Sequence, residues 1–339
     1  MNSKAFLLPA ALMIAGNSVA NSKGKKTDKR PNILVILADD LGYSDLGCYG
    51  SEIHTPNLDK LAQQGVRFNH FYNASRSCPT RASLLTGLYQ HQAGIGRMTF
   101  DDNLPGYRGT LSRNAVTIAE VLKESGYTTS MIGKWHVAET PLRKDQREWL
   151  AHHVYHDTYS DLCHYPVNRG FDSHYGTIYG VVDYFDPFSL VEGEVPVKEV
   201  PEGYYITQAL SDRAAEEVTE YAKDDKPFFM YLAYTAPHWP LHALPEDIEK
   251  YKDTYKVGWE AIRNARYERQ KQLGIFPGMD DFLSERQFKD RWEDNAHAEW
   301  DARAMAVHAA MIDRMDQGIG QVIDAVSYTH LRAHETAAN

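Results

Sequence analysis

The segment Ser77-Cys78-Pro79-Thr80-Arg81 combines a hydroxyl, a thiol and a permanent cation at the start of a predicted helix over residues 80–85. Pro79 suits a first helical turn, where its missing N–H is not needed. Free N–H groups at that helix end and the Arg81 guanidinium would both attract an anion. A capping serine and a solvated arginine are the alternative explanation for so short a match. The segment therefore predicts an anion site with a nucleophile, or else an ordinary helix start.

Two adjacent acids, Asp39 and Asp40, follow an aliphatic run over residues 32–38. Acids at the end of a buried strand are costly unless a cation meets them. A helix cap or a surface turn would also accept acids at this position. Carboxylate oxygens suit a hard divalent ion. Beside a motif for anion transfer, we therefore expect a metal site at Asp39 and Asp40.

Three more polar residues follow predicted strands. Lys134 and His136 stand two residues apart, so they share one side of an extended segment. A turn with a packed Trp135 is the alternative. His238 lies in a Pro-His-Trp-Pro string after the third strand. We expect these side chains to meet the acids at one edge of a sheet.

The remaining histidines are expected to have no catalytic role. His242 and His91 are predicted to lie at the surface or in a cleft, since most histidines are not catalytic. The pair His152-His153, and His156 with His164, show no fixed geometry for zinc ligands. A polar loop is therefore the preferred interpretation.

Continuous apolar runs predict strands over residues 32–38, 127–132 and 227–234, as in a sheet buried on both faces. A helix is predicted from Pro56 to Gly65, and another has Ile118, Val121 and Leu122 on one face. Residues 246–295 are charged and largely helical in pattern. Apolar residues three and four apart over 305–326 predict an amphipathic helix.

This alternation predicts an α/β fold, a doubly wound, mostly parallel sheet flanked by helices. Ligands bind outside the carboxyl ends of the strands in such sheets. The predicted polar clusters follow those ends. We expect residues 31–326 to form one catalytic domain.

The string from Ser77 to Thr86-Gly87 resembles the sulfatase signature, in which a Cys or Ser, any residue, Pro, any residue and Arg precede Thr-Gly. Residues 31–50 are similar to the family's opening strand and metal loop. The spacing of the signature identifies Ser77 as the residue at its first position, because Pro79 and Arg81 stand two and four residues after it. From Cys78, those positions hold Thr80 and Ala82.

The resemblance is to formylglycine-dependent type I sulfatases, which are arylsulfatase-like and have the alkaline-phosphatase fold. It implies that a serine-type radical maturase oxidises Ser77 to formylglycine. Such a maturase in turn indicates a bacterial source. One hydroxyl of the hydrated aldehyde would attack the sulfur of a sulfate ester, either a sulfated carbohydrate or an aryl sulfate. The other would release sulfate. Asp39, Asp40 and Ser77 would bind Ca²⁺, with Mg²⁺ as the alternative.

The resemblance also implies roles for the remaining site residues. Arg81 would stabilise the anion, Lys134 would bind sulfate, and His136 would support the formylglycine hydroxyls. His238 would contact sulfate near the leaving oxygen. Whether Lys134 or His238 protonates the leaving group stays open.

Composition excludes several classes of partner. The 339 residues are 43% hydrophobic and have a net charge of −10, so no basic face favours nucleic acid. No apolar run reaches the roughly 18 to 20 residues of a membrane span. Three cysteines, Cys48, Cys78 and Cys163, are too few for a disulfide framework and are expected to be structural.

The N-terminus has the pattern of an export signal. Lys4 precedes an apolar run over residues 5–16 and the small residues Ser18-Val19-Ala20. We expect residues 1–20 to be a signal peptide and 21–30 a basic linker. The protein is then periplasmic or secreted.

The tail over residues 327–339 resembles translated sequencing-adapter sequence and has no strand pattern. The family places a strand ending in Asp-Asn and a later sulfate-binding lysine after such a helix. We therefore expect a sheet incomplete at the C-terminus and a 339-residue chain with little or no activity. Robust hydrolysis of 4-nitrophenyl sulfate by this chain would refute that expectation.

Two rival functions stay open. A phosphonate monoester or phosphodiester hydrolase of the same superfamily would use the same formylglycine and metal. A non-catalytic binder of sulfated glycan would leave Ser77 unmodified.

Overall fold

A computed structural model describes residues 30–139, 155–278, 283–285 and 291–335. The proposed signal peptide and His152-His153 lie outside these ranges. Strands of the described part form one sheet in the order β1-β6-β2-β3-β4-β5. The strands are β1 Ile33–Leu37, β2 Thr128–Gly133, β3 Ser173–Thr177, β4 Leu190–Glu192, β5 Val195–Pro196 and β6 Phe228–Ala233.

The first four strands in this spatial order run parallel, whereas β4 and β5 add antiparallel pairs at the far edge. Leu37 of β1 and Gly133 of β2 both lie opposite Ala233 of β6. The three strands therefore end level with one another. The polar residues that follow them emerge at one edge of the sheet, as predicted.

Seven α-helices lie in the described part of the chain. They are α1 Pro56–Gln64, α2 Ser77–Thr86, α3 Ile118–Glu124, α4 Ile206–Tyr221, α5 Pro245–Glu249, α6 Trp259–Gln272 and α7 Ala298–Glu335. Helices α4 and α7 pack against each other. The predicted apolar face of α7 is confirmed, since Ile312, Met315, Ile319 and Val322 are buried. The helix continues to Glu335, beyond the predicted pattern. The prediction of a mostly parallel sheet flanked by helices is also confirmed.

Some predicted burial is wrong. Strand β1 is only half-buried along its length, because in the described residues it lies at an edge of the sheet. On α3, Val121 is 53% exposed and Ala119 is buried instead. Hydrophobic spacing located these elements but misassigned which side chains face the core.

The described helices include none that is both long and apolar enough to cross a membrane.

The start of α1 is held by an acid from α7, about 260 residues away in the chain. The Asp316 carboxylate is fully buried and accepts hydrogen bonds from the backbone N–H groups of Asn57 (3.1 Å) and Leu58 (2.9 Å). The Asn57 amide also donates to it, at 2.9 Å. Asp316 thus satisfies helix-end donors that would otherwise lack partners.

We predict that Asp316→Ala lowers the free energy of unfolding by about 2 kcal/mol, because buried N–H groups lose their acceptor. Urea unfolding followed by circular dichroism measures the change. Asp324→Ala, on the exposed side of the same helix, is the control and should change stability by less than about 0.5 kcal/mol. Equal effects of the two substitutions would contradict the capping role.

We also predict that acid destabilises the fold through His174 of β3. Burial lowers the pKa of this 1% exposed side chain to about 4. The unfolded chain therefore takes up the proton first, and stability falls as pH drops from about 6.5 to about 4, by about 3 kcal/mol. His174→Gln should flatten the stability profile over that window. An unchanged slope in urea titrations would refute this assignment.

Candidate active site

The predicted site residues meet at the carboxyl ends of β1, β2 and β6. Backbone hydrogen bonds continue past the strands and fix the loops: Asp39 N–H donates to Ala236 (3.0 Å), and Lys134 N–H donates to Ala233 (2.8 Å). Gly133 has a φ of 109°, and a Cβ there would lie 1.9 Å from the Ala233 carbonyl oxygen. Only glycine fits this turn.

Ser77 is the first residue of α2, three residues earlier than the predicted helix start, and Arg76 occupies the N-cap. The Arg81 Nε–H donates to Ser77 Oγ at 3.0 Å. Ser77 Oγ also lies 3.3 Å from Nδ1 of His136. The hydroxyl thus sits at a helix N-terminus, between a guanidinium and an imidazole.

Buried charges surround this hydroxyl. Lys134 is 0% exposed and donates from Nζ to Asp39, which is 4% exposed. Arg81 Nη2 lies 3.6 Å from the other Asp39 oxygen. Burial alone would raise the pKa of Asp39, but the adjacent Lys134 and Arg81 lower it below the ordinary value. The carboxylate therefore stays ionised against two cations.

His136 has a left-handed backbone, with a φ of 53°, and its ring packs on Gly180. A Cβ at residue 180 would lie 2.0 Å from His136 Cε1. Burial lowers the pKa of His136 well below its ordinary value, and the charges of Lys134 and Arg81 lower it further. The imidazole beside Ser77 is therefore neutral at pH 7.

His238 lies at the rim of the cluster, and its Nε2 is 3.5 Å from a carboxylate oxygen of Asp40. Its Nδ1 donates to the backbone carbonyl of Trp239, which leaves Nε2 to face the site. The buried Tyr184 hydroxyl lies 2.8 Å from the carbonyl oxygens of both Thr235 and His238. Tyr184 therefore anchors the His238 turn.

The donor chemistry at Asp39 and Asp40 fits part of a hard-cation site. Asp39 is buried, whereas Asp40 is 65% exposed and has a φ of 62°. With Ser77 Oγ, these residues offer oxygen ligands, which suit Ca²⁺ or Mg²⁺. They supply fewer oxygens than the six to eight that Ca²⁺ takes. In the described residues, the cationic partners of Asp39 are Lys134 and Arg81.

Cys78 is the buried neighbour of Ser77. It is 0% exposed, and its Sγ is 3.9 Å from the Met98 sulfur. Burial raises the pKa of the Cys78 thiol to about 11. The choice of Ser77 over Cys78 stays a prediction that rests on the spacing of Pro79 and Arg81.

The other weighed histidines lie outside the cluster. His91 is exposed and lies 3.1 Å from the Tyr107 hydroxyl. His242 Nδ1 lies 3.6 Å from Asp183. His164 shares a turn with Asp161 and Cys163, whose ligand atoms lie within 4.8 Å of one another. Asp161 already accepts the Cys163 N–H at 3.0 Å, as an ordinary turn cap does.

Sequence reasoning missed three residues that position the site. Tyr231 of β6 is buried, and its hydroxyl lies 3.4 Å from Arg81 Nη1. Tyr184 and Gly180 hold His238 and His136 as described above. The sequence predicted the strand over residues 227–234 that contains Tyr231, but no motif indicated a role for the Tyr231 side chain.

Comparisons with known proteins identify the family of this chain. A sequence model of the family described as Sulfatase matches residues 31–332. An arylsulfatase of Klebsiella aerogenes is 33% identical over 97% of this chain and 68% of its own length. An uncharacterised sulfatase of Schizosaccharomyces pombe is 34% identical, over 87% of this chain and 54% of its own.

Solved structures show the same fold. A sulfatase structure from Bacteroides fragilis superposes with a TM-score of 0.66 and 22% identity, over 91% of this chain and 61% of that one. The protein Ps i-CgsB, solved in complex with k-i-k-neocarrahexaose, gives a TM-score of 0.59 and 30% identity, over 89% and 56% of the two chains.

The sheet order and this superposition define an α/β fold with a mostly parallel sheet, which the chain shares with solved sulfatase structures. Within this fold, the chain belongs to the sulfatase family. The chain spans between about half and two thirds of the length of these relatives.

We predict that Gly180→Ala displaces the His136 ring from Ser77, because the added Cβ overlaps it. The pKa of His136 should then rise toward its ordinary value as the ring gains solvent. A histidine NMR titration measures this pKa. Gly65→Ala, whose Cβ would lie 3.2 Å from a single carbonyl oxygen at the end of α1, is the control. A His136 pKa unchanged by Gly180→Ala would contradict the packing argument.

Proposed function

We propose that the whole protein is a sulfuric ester hydrolase that uses a formylglycine made from Ser77. The observation that supports this most is the Ser77 hydroxyl at a helix N-terminus, 3.0 Å from Arg81 Nε and 3.3 Å from His136 Nδ1. Lys134 adds a second buried cation beside Asp39. Such an arrangement stabilises negative charge on a tetrahedral anion.

When present, formylglycine supplies, as its hydrate, a hydroxyl that attacks sulfur and a second hydroxyl whose loss of a proton releases sulfate. Arg81 holds the oxygen on residue 77 through Nε, and it is itself held by the Lys134 carbonyl at 2.6 Å from Nη1. The neutral His136 imidazole can accept a proton from that oxygen. The chain thus orients the nucleophile before substrate arrives.

His238 is the better candidate for the proton donor to the leaving oxygen. Its Nδ1–H donates to the Trp239 carbonyl, so Nε2 is the ring nitrogen that faces the site and the one from which an imidazolium would give its proton. Lys134, by contrast, is fully buried and paired with Asp39. We therefore assign sulfate binding to Lys134 and proton transfer to His238.

Asp39, Asp40 and residue 77 would hold a divalent cation, Ca²⁺ or Mg²⁺. When bound, the ion lowers the pKa of an oxygen ligand and screens sulfate oxygens.

The proposed substrate is a sulfated carbohydrate, with aryl sulfates as the second class. A Bacteroides thetaiotaomicron relative named N-acetylglucosamine-6-O-sulfatase is 32% identical over 75% of this chain and 38% of its own length. The Ps i-CgsB complex holds k-i-k-neocarrahexaose. Residues 1–20 would export the protein to the periplasm or beyond. A serine-type radical maturase is then its partner before export.

Mass spectrometry of the peptide containing residue 77 tests the proposal. After production with a serine-type maturase, we expect the peptide to be about 2 Da lighter, because the alcohol loses two hydrogens. Ser77→Ala is the control and should keep its own mass. An unmodified serine would remove the catalytic interpretation and favour a glycan-binding protein.

Ester preference is tested on the full-length gene product. We expect 4-nitrophenyl sulfate to be hydrolysed with a kcat/KM at least tenfold above that of 4-nitrophenyl phosphonate or bis(4-nitrophenyl) phosphate, a difference of about 1.4 kcal/mol. The reverse order would identify a phosphonate or phosphodiester hydrolase.

A further inference from the structure

A cavity of about 1010 Å³ lies beside the proposed active site. It is enclosed by the loop after β1, by α6 and by the first half of α7. Its walls include Tyr43, Tyr255, Trp259, Arg263, Met305 and His308. This volume falls at the upper end of the range for small-molecule sites, and aromatic walls suit a flat or ring-shaped ligand.

Two of the loops that build the active site also build this cavity. Tyr43 and Asp45 follow the acid pair Asp39-Asp40 by a few residues, and Leu241 follows His238 by three. Burial lowers the pKa of His308, which lines the cavity, but the negative charge of Asp40 raises that pKa by a smaller amount. A substrate whose sulfate reaches Ser77 therefore has this cavity as a neighbour.

The arginines in the cavity wall differ in their pairing. Arg266 is fully paired: Nη1 donates to Asp45 at 2.6 Å, and Nε and Nη2 each donate to Glu52 at 2.7 Å. Arg263 donates instead to the carbonyl and hydroxyl oxygens of Ser284. Across the described residues, no carboxylate pairs with Arg263. Among these residues, Glu285 also lines this wall but forms no ion pair with Arg263, so the guanidinium is available to an anionic ligand.

His308 of α7 offers a neutral polar group in the wall of the same cavity. Burial lowers the pKa of His308, and the nearby Asp45 raises it less than burial lowers it. The imidazole therefore has one N–H and one lone pair at pH 7. Within the described ranges, His308 makes no hydrogen bond.

We propose that this cavity binds the non-reacting part of the substrate, a ring that carries a second anionic group. The ring packs on Tyr43 and Trp259, the second anion pairs with Arg263, and His308 hydrogen-bonds to a hydroxyl of the ring. The class of ligand is a multiply sulfated or carboxylated sugar, or an aromatic anion. The proposal rests on the proposed function in one respect, that a sulfate ester is the substrate.

The test is calorimetric titration of naphthalene-2-sulfonate into the chain made without a maturase, so that Ser77 is unmodified and no turnover occurs. This probe joins a ring to an anion through a bond that sulfatases do not cleave. We expect saturable binding with a Kd below about 1 mM. Arg263→Gln should weaken it roughly tenfold, since a charge-assisted contact is lost. The neutral naphthalene-2-sulfonamide should bind both proteins equally.

Two matched variants separate the outcomes. Ala304→Phe fills the cavity from its wall and should abolish binding. Arg303→Gln, exposed on the same helix, should change the Kd less than twofold. Thermal unfolding confirms that each variant folds.

Absence of binding to the unsubstituted chain would overturn the proposal. So would wild-type affinity in both Arg263→Gln and Ala304→Phe, because the probe would then bind outside the cavity. Failure of the proposed function would appear elsewhere, as an unmodified Ser77 or an inactive full-length product. Because the titration uses unmodified Ser77, neither of those results would change the measured binding of the probe to the cavity.

Discussion

The carboxylate of Asp39 is the interaction on which the site depends. It is buried with Lys134 and Arg81, and each of its oxygens faces one of these cations. Two buried cations without this acid would repel each other in a medium of low dielectric constant, at a cost of about 3–5 kcal/mol once the pair is broken. The Asp39 carboxylate therefore allows both cations to remain buried beside Ser77.

The sheet holds these three charged side chains in fixed positions. Asp39 follows β1 and Lys134 follows β2, and both strands are hydrogen-bonded to β6 between them. Arg81 comes from α2, but its Nη1 is tied to the Lys134 carbonyl and lies near Tyr231 of β6. Each charged group is therefore fixed by backbone as well as by its partner. Preorganised charge of this kind avoids the cost of reorientation when an anion arrives.

Sequence patterns were sufficient to predict the strands and the polar residues that follow them. A buried strand of a parallel sheet is visible as a continuous apolar run, and the ligand-binding residues follow its carboxyl end in the sequence. These patterns predicted Lys134 and His136 at one strand end, and the geometry agrees. They could not show that β1 lies at the edge of the described sheet, since edge position depends on pairing across the chain. They also missed Tyr184 and Gly180, whose contacts join segments far apart in sequence.

The charge count around Ser77 explains why an anion belongs there. Lys134 and Arg81 contribute two positive charges, Asp39 contributes one negative charge, and the neighbouring cations and burial keep His136 neutral. One positive charge is thus uncompensated within this buried group. Arg81 Nη2 is also buried without a hydrogen-bond acceptor among the described residues. A buried donor without an acceptor costs about 1–3 kcal/mol, so an incoming anionic oxygen relieves a penalty already built into the fold.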